Sequence, residues 1–272
     1  MARDIKGKWV LLTGAASGIG RETCLLLARE GCNMIPVDID KERLFSLANE
    51  LKSFGVKVIP KIVDVTDKDQ ISKLADEITG EIGAIDILVN NAGIGYSCDL
   101  RKTPEEVWER LTKINFFTPI YVTNAFLPGM LERKTGQIVN ISTGQVFFPV
   151  PTWGAYAATK AALATYSECL TWELAPLGIK VTTVFPGLIR TPFYSSIQAK
   201  TLPQRFVLWY INALGSKPEK MAAKIVKGIK RRKRRVIQSS INWFTYLGRR
   251  PGGALYDLGG EGFAYALCEK CN

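Results

Sequence analysis

WVLLTGAASGIGRETCLLLARE, residues 9–30, runs from an apolar β-rich stretch through a Gly-rich turn into an amphipathic helix. Gly14, Gly18 and Gly20 permit a tight turn and a close approach of backbone to whatever lies above it. The same alternation then repeats along the chain. Apolar runs at 34–38, 56–64, 85–90, 136–142 and 179–186 alternate with helical patterns near 18–30, 41–54, 67–82, 104–132 and 154–177. Strands this apolar, each followed by a helix, predict a parallel sheet buried on both faces. Helix starts carry matching chemistry: Thr103-Pro104-Glu105-Glu106 and Ser216-Lys217-Pro218-Glu219 each offer a cap, an early proline and a capping-box glutamate. No linker, repeat or low-complexity stretch interrupts the pattern, so one doubly wound α/β domain over 1–272 is expected.

The opening turn has the makings of a phosphate cradle. Amides of Ser17, Gly18, Ile19 and Gly20 at a helix N-terminus can meet a pyrophosphate. The spacing GxxxGxG departs from the GxGxxG dinucleotide fingerprint, so the glycines alone are weak evidence. The second strand strengthens them, because it ends at Asp38, eighteen residues past Gly20. A carboxylate there accepts hydrogen bonds from an adenosine ribose diol and repels a 2′-phosphate. With Ser17 where a cation would favour that phosphate, both features point to NAD rather than NADP.

The totals bound the rest. Of 272 residues, 47% are apolar and 22% charged, which fits a folded globular chain. Six cysteines, at 24, 32, 98, 169, 268 and 271, lack a disulfide-framework spacing, so a reducing, cytoplasmic setting is expected. Cys268 and Cys271 have no second pair and no histidine to complete a metal clip; no metal site is expected. No signal sequence is expected from MARDIKGKWV, and no apolar run approaches the ~20 residues of a membrane span. The net charge of +11 is uneven: residues 217–272 hold 13 Lys and Arg against 4 Asp and Glu.

GAYAATK, residues 154–160, sets Tyr156 and Lys160 four apart with small residues between, hence on one helix face. A phenol has a pKa of ~10, and a neighbouring ammonium favours its ionised form. The pair is expected to act as a tuned proton donor and acceptor, with small neighbours admitting flat ligands.

TGAASGIG (13–20), NNAG (90–93) and YAATK (156–160), in this order and at these spacings, resemble the short-chain dehydrogenase/reductase family over roughly residues 5–192. The resemblance implies a Rossmann-like doubly wound parallel sheet of about seven strands flanked by helices. It implies hydride transfer between a dinucleotide and an alcohol or ketone, with Tyr156 moving the proton and Lys160 holding the nicotinamide ribose. By the same resemblance, Asp64 and Val65 lie beside the adenine, and Asn91, Ala92 and Gly93 support cofactor and sheet. Pro186, Gly187, Ile189 and Thr191 would meet the nicotinamide end. Asn115 would hold a water linking Lys160 to solvent. The family's carbonyl-holding serine, thirteen residues before the tyrosine, falls on Thr143; a bulge at the strand end would hand the role to Ser142. Homodimers or homotetramers through helices 104–132 and 154–177 are implied.

Specificity in such proteins lies at 188–216, here rich in Phe193, Tyr194, Phe206, Val207, Leu208, Trp209, Tyr210, Ile211 and Leu214. With Phe147, Phe148 and Trp153 on the other rim, the expected substrate is a bulky hydrophobic alcohol or ketone, steroid-, retinoid- or lipid-like. Six consecutive cations at 230–235, followed by INWFTYL (241–247), suit either a solvated helix end leading into a final strand or peripheral contact with an anionic membrane. The cofactor architecture argues against nucleic acid as a partner. A non-catalytic sensor or scaffold with the same fold is the alternative, which the intact Tyr156 and Lys160 oppose.

Overall fold

The computed structural model describes residues 2–194, 209, 213 and 215–238. Seven strands form one sheet: β1 (Trp9–Thr13), β2 (Asn33–Asp38), β3 (Lys61–Ile62), β4 (Ile87–Asn90), β5 (Gly136–Ile141), β6 (Ile179–Phe185) and β7 (Arg235–Ile237). Their order is β3-β2-β1-β4-β5-β6-β7, and every neighbouring pair is parallel. The helices are α1 (Gly18–Arg29), α2 (Lys41–Lys52), α3 (Lys68–Ile82), α4 (Glu105–Thr112), α5 (Thr118–Glu132), α6 (Gly154–Leu174) and α7 (Pro218–Lys230).

Side chains alternate across a strand, so a strand covered on both faces must be apolar throughout. On β1, Val10 and Leu12 join a layer with Leu27 of α1 and Ile225 and Ile229 of α7. Leu11 faces the other way, into a layer with Ile78 of α3, Phe126 of α5 and Leu170 of α6. The sheet runs outward in both directions from β1 and β4. That reversal opens a crevice above their C-terminal ends, where α/β sheets place ligands.

Three local expectations change. The apolar run 56–64 yields only a two-residue strand, β3, and an isolated bridge from Val58 to Met34. Pro60 lies between them and has no N–H to give a ladder. The 104–132 pattern is broken by a π-turn at Lys113–Phe117, where the Thr118 hydroxyl donates to the Lys113 carbonyl at 3.0 Å. Neither expected capping box forms. The Thr103 hydroxyl donates instead to the Asp99 carbonyl at 3.0 Å, and Ser216 pairs through its backbone with residues 188–190.

The 230–235 run is folded into the end of α7 and the edge strand β7. Lys230 bridges to Glu30 at 2.7 Å, and both Arg234 and Arg235 engage Glu168 of α6. The Arg234 guanidinium also lies 4.9 Å from the centre of the Trp172 ring. Residues 206–208, 210–212, 214, 241–247 and the Cys268–Cys271 pair lie outside the described residues. Among the described residues, no helix is long and apolar enough to cross a membrane.

Candidate active site

The crevice is built where the ends of β1, β2 and β4 converge. Gly14 takes φ +67°, and a Cβ on it would stand 2.9 Å from Ala92 Cα. A Cβ on Gly20 would meet the Gly14 carbonyl oxygen at 2.1 Å, so close approach forces glycine at both positions. Asn91 ties the loop to β4: its Nδ2 donates to the Thr13 and Gly14 carbonyls at 3.0 and 2.9 Å. Thr13 completes the joint, its Oγ1 accepting from the Asn91 and Ala92 amides, each at 3.1 Å. A threonine at a strand end carries no sequence signal of that role. At the tip of β2, the Asp38 carboxylate accepts from the Ala16 amide at 2.8 Å and from the Asp40 amide at 3.0 Å. It thereby clamps the glycine loop while facing the crevice rim.

Helix α1 differs from α2 and α3 at its start. Asp40 caps α2 and Asp67 caps α3 with side-chain acceptors, whereas Ser17 makes no side-chain cap at α1. The first amides of α1, at Gly18, Ile19 and Gly20, are left for another acceptor, as a pyrophosphate cradle requires. The far arm reaches the same loop: a Cβ on Gly18 would sit 3.2 Å from Thr191 Cγ2. The Pro186 carbonyl accepts from the Gly144 amide at 2.7 Å, the Gly187 amide donates to Gln238 Oε1 at 3.2 Å, and Ile189 is buried. Val65 is buried and Asp64 exposed, its Oδ1 accepting from the Thr66 amide at 2.9 Å. These residues fit a dinucleotide laid across the crevice: a bare glycine floor, uncapped amides and one carboxylate at the ribose end.

Beyond that floor lies the Tyr156 cluster. Tyr156 and Lys160 stand one turn apart on α6, only 7% and 4% exposed. The Thr143 side chain lies beside the Tyr156 hydroxyl, near enough to hold its pKa down. Ser142 points the opposite way, as the next residue on a strand must, and its Oγ donates to the Lys160 carbonyl at 2.8 Å. Lys160 Nζ donates to the Ile141 carbonyl at 2.9 Å. Asn115 occupies the π-turn, fully buried. Its Oδ1 accepts from the Ile94 amide at 2.9 Å, and its Nδ2 donates to the Ile94 carbonyl at 3.0 Å and to Thr159 Oγ1 at 3.2 Å. Gly93 lets these groups converge: a Cβ there would be 2.9 Å from Asn115 Oδ1 and 3.1 Å from Lys160 Nζ.

The electrostatics correct one expectation. Burial pushes the Tyr156 phenol up to about 12, opposed by the Thr143 side chain and not by the Lys160 ammonium. Burial also pulls Lys160 down to about 8. A charge helps a neighbour only in proportion to how closely it faces it, and the ammonium is directed at the β5 carbonyl instead.

The aromatic rim is also rearranged. Phe147 leaves the rim and packs on Phe185 of β6, with ring centres 4.6 Å apart. Trp153, at the start of α6, meets Tyr156 edge-on at 5.7 Å, and Phe193 and Tyr194 close over both. Gly95, which no motif marks, abuts the Phe193 ring.

A model of the family described as short chain dehydrogenase matches residues 8–202. The 3-oxoacyl-[acyl-carrier-protein] reductase FabG of Thermotoga maritima is 37% identical over 222 residues, covering 82% of this chain and 90% of that protein. Estradiol 17-beta-dehydrogenase 11 of Macaca fascicularis is 31% identical over 251 residues, 91% of this chain and 80% of its own. A short chain dehydrogenase/reductase from Burkholderia phymatum, solved in complex with NAD, superposes with a TM-score of 0.82 at 23% identity, covering 90% of this chain and 94% of that one; it speaks to the fold.

Proposed function

The chain belongs to the short-chain dehydrogenase family of oxidoreductases, and from that premise we propose that it interconverts secondary alcohols and ketones using NAD(H). The observation that carries the reading is Thr143 beside a buried Tyr156, with Lys160 one turn away and the glycine crevice alongside. When bound, the dinucleotide supplies the hydride acceptor or donor. Gly14, Ser17, Gly18, Ile19 and Gly20 would hold its pyrophosphate, Asp64 and Val65 would flank the adenine, and Asn91, Ala92 and Gly93 would support the middle of the crevice. Pro186, Gly187, Ile189 and Thr191 would line the nicotinamide end. Asp38 supports NAD over NADP: its carboxylate accepts a ribose diol and repels a 2′-phosphate.

In oxidation Tyr156 takes the hydroxyl proton at its Oη; in reduction it returns that proton to the carbonyl oxygen. Thr143 donates to the same oxygen as charge develops there. Lys160 holds the ribose, and Asn115 fixes the 94–95 backbone beside Lys160 and the path by which protons leave. Trp153, Phe193 and Tyr194 around Tyr156 support a bulky hydrophobic substrate, as does a relative named for estradiol. Exposed Phe117 and Trp172, on the helical faces the family uses for assembly, support a homo-oligomer. The intact tyrosine cluster disfavours a non-catalytic scaffold.

The test is oxidation of a panel of steroid, retinol and aliphatic alcohols, followed at the reduced-nicotinamide absorbance. Tyr156→Phe should lower kcat by about 10²–10⁴-fold, the usual worth of a general acid–base group. Wild-type turnover matched by Tyr156→Phe would refute the assignment.

A further inference from the structure

Tyr156 must reach a substrate oxygen, yet its ring is almost sealed. The seal on the open side is Phe193, half-buried on the short 3-10 turn Pro192–Tyr194 that follows β6. Its ring centre lies 5.5 Å from that of Tyr156. It runs nearly parallel to the Trp153 indole, at 6.3 Å and 18°, and stands edge-on to Tyr194 at 5.2 Å and 85°. The ring tip rests on bare backbone: a Cβ on Gly95 would be 2.5 Å from Phe193 Cζ and 2.6 Å from Cε1. One phenyl ring thus fills a compartment with an indole on one side, a glycine at its end and the Tyr156 ring beside it.

Two of those walls are fixed. Trp153 is buried, and its carbonyl accepts from the Ala157 amide at 2.9 Å as α6 begins. Gly95 follows Ile94, whose amide and carbonyl are both bonded to Asn115. Phe193, half-buried, closes the remaining side of the compartment.

We propose that the Phe193 ring stands in the place of the substrate's own ring, and that this site selects secondary alcohols and ketones whose reacting carbon lies in, or directly on, a flat six-membered ring. The proposal rests on the oxidoreductase reading above and narrows its substrate. A planar ring displacing Phe193 recovers the same aromatic contacts, which favour stacked and edge-on geometry. An open chain recovers less of the indole face and leaves Gly95 uncovered. Phe193, swung outward, then covers the ring from the solvent side.

The experiment compares two ten-carbon secondary alcohols, 1-tetralol and the more hydrophobic open-chain decan-2-ol, with NAD in excess. Wild type should favour 1-tetralol in kcat/KM by at least about tenfold, a difference within reach of pocket shape. Gly95→Ala places a methyl where the ring tip lies and should reduce that preference about tenfold, with NADH binding by fluorescence reporting whether the crevice is intact. Equal kcat/KM for the two alcohols in wild type, or a preference that Gly95→Ala leaves untouched while NADH still binds, overturns the ring site and leaves the oxidoreductase assignment standing. Where neither alcohol nor its ketone turns over, that assignment falls. The ring site is then judged by saturation-transfer NMR. Saturation transfer to the protons of 1-tetralone, weakened by Gly95→Ala and absent from the protons of decan-2-one, sustains it; equal transfer to both ketones sinks it.

Discussion

Replacing Thr143 by valine keeps the shape of the side chain and removes its hydroxyl. The structure gives that hydroxyl two neighbours: it lies beside the Tyr156 hydroxyl, whose pKa it lowers, and it accepts from the Gln145 amide at 3.3 Å. The second contact is long and at the edge of the site, so its loss costs at most about 1 kcal/mol of stability. The first is where a carbonyl oxygen would be held. Losing one such donor costs about 10²–10³-fold in kcat, or roughly 3–4 kcal/mol of transition-state stabilisation. Thr143→Ser retains the hydroxyl and should recover most of the rate. Ser142→Ala is the opposing control: it strips a bond from the buried Lys160 carbonyl and should cost about 1–3 kcal/mol of stability, lowering Tm by several degrees while kcat changes little. Steady-state alcohol oxidation and thermal melts on the three variants separate the outcomes. Near-wild-type kcat in Thr143→Val, with a hundredfold loss in Ser142→Ala, would show that the strand end presents the other hydroxyl and that the assignment is wrong.

Lys160 has a folded pKa of about 8, depressed by burial below its unfolded value of ~10.4, so between those values the unfolded chain binds more protons. Lys160 should therefore contribute a stability that rises with pH across that window, by about 3 kcal/mol in all, while the Cys24 and Cys32 thiols, pushed up by burial, pull the other way. Lys160→Met should remove that rising contribution, read as the difference between variant and wild type in denaturant titrations, while abolishing turnover; an unchanged pH dependence of stability would mean that the lysine is not buried as described. Asp38→Ser removes the carboxylate that meets the ribose diol, and should shrink the ratio of NAD to NADP kcat/KM by about tenfold or more. Since the same carboxylate clamps the Ala16 amide, affinity for NAD should fall too; an unaltered ratio would show that discrimination lies elsewhere.

Much of this fold was visible in the chain because β1, β4, β5 and β6 are buried on both faces and so carry mostly apolar runs, broken in β5 by Gln137 and Asn140 and in β6 by Lys180, Thr182 and Thr183. The run at 56–64 misled for a local reason, Pro60, which subtracts an amide from the ladder and confines β3 to two residues. The π-turn at Lys113–Phe117 was hidden, since its extra residue leaves the apolar pattern of 104–132 almost intact. In the site, Tyr156, Lys160 and Asp38 could be placed by spacing. Thr13 and Gly95 could not: their roles arise where two loops distant in sequence meet. Ser142 and Thr143 were separable only in part, because alternation says that one of them faces Tyr156 and only the twist of β5 decides which.

The direction of tuning at Tyr156 could not be read from YAATK either, because spacing fixes neighbours but not burial. Desolvation raises the phenol and the Thr143 side chain lowers it, so two substitutions should move the same titration in opposite directions. Thr143→Val removes the lowering partner and should shift the rising limb of kcat/KM against pH for alcohol oxidation to higher pH. Phe193→Ala opens the solvent side of the Tyr156 ring, weakens the desolvation and should shift that limb to lower pH. The kcat/KM profile reports groups of the enzyme free of substrate, so both shifts refer to the cluster before the alcohol arrives. An acid shift in both variants, or none in Phe193→Ala, would mean that burial beneath the aromatic cover does not govern this phenol. The ammonium one turn away would then have to be restored as its principal influence.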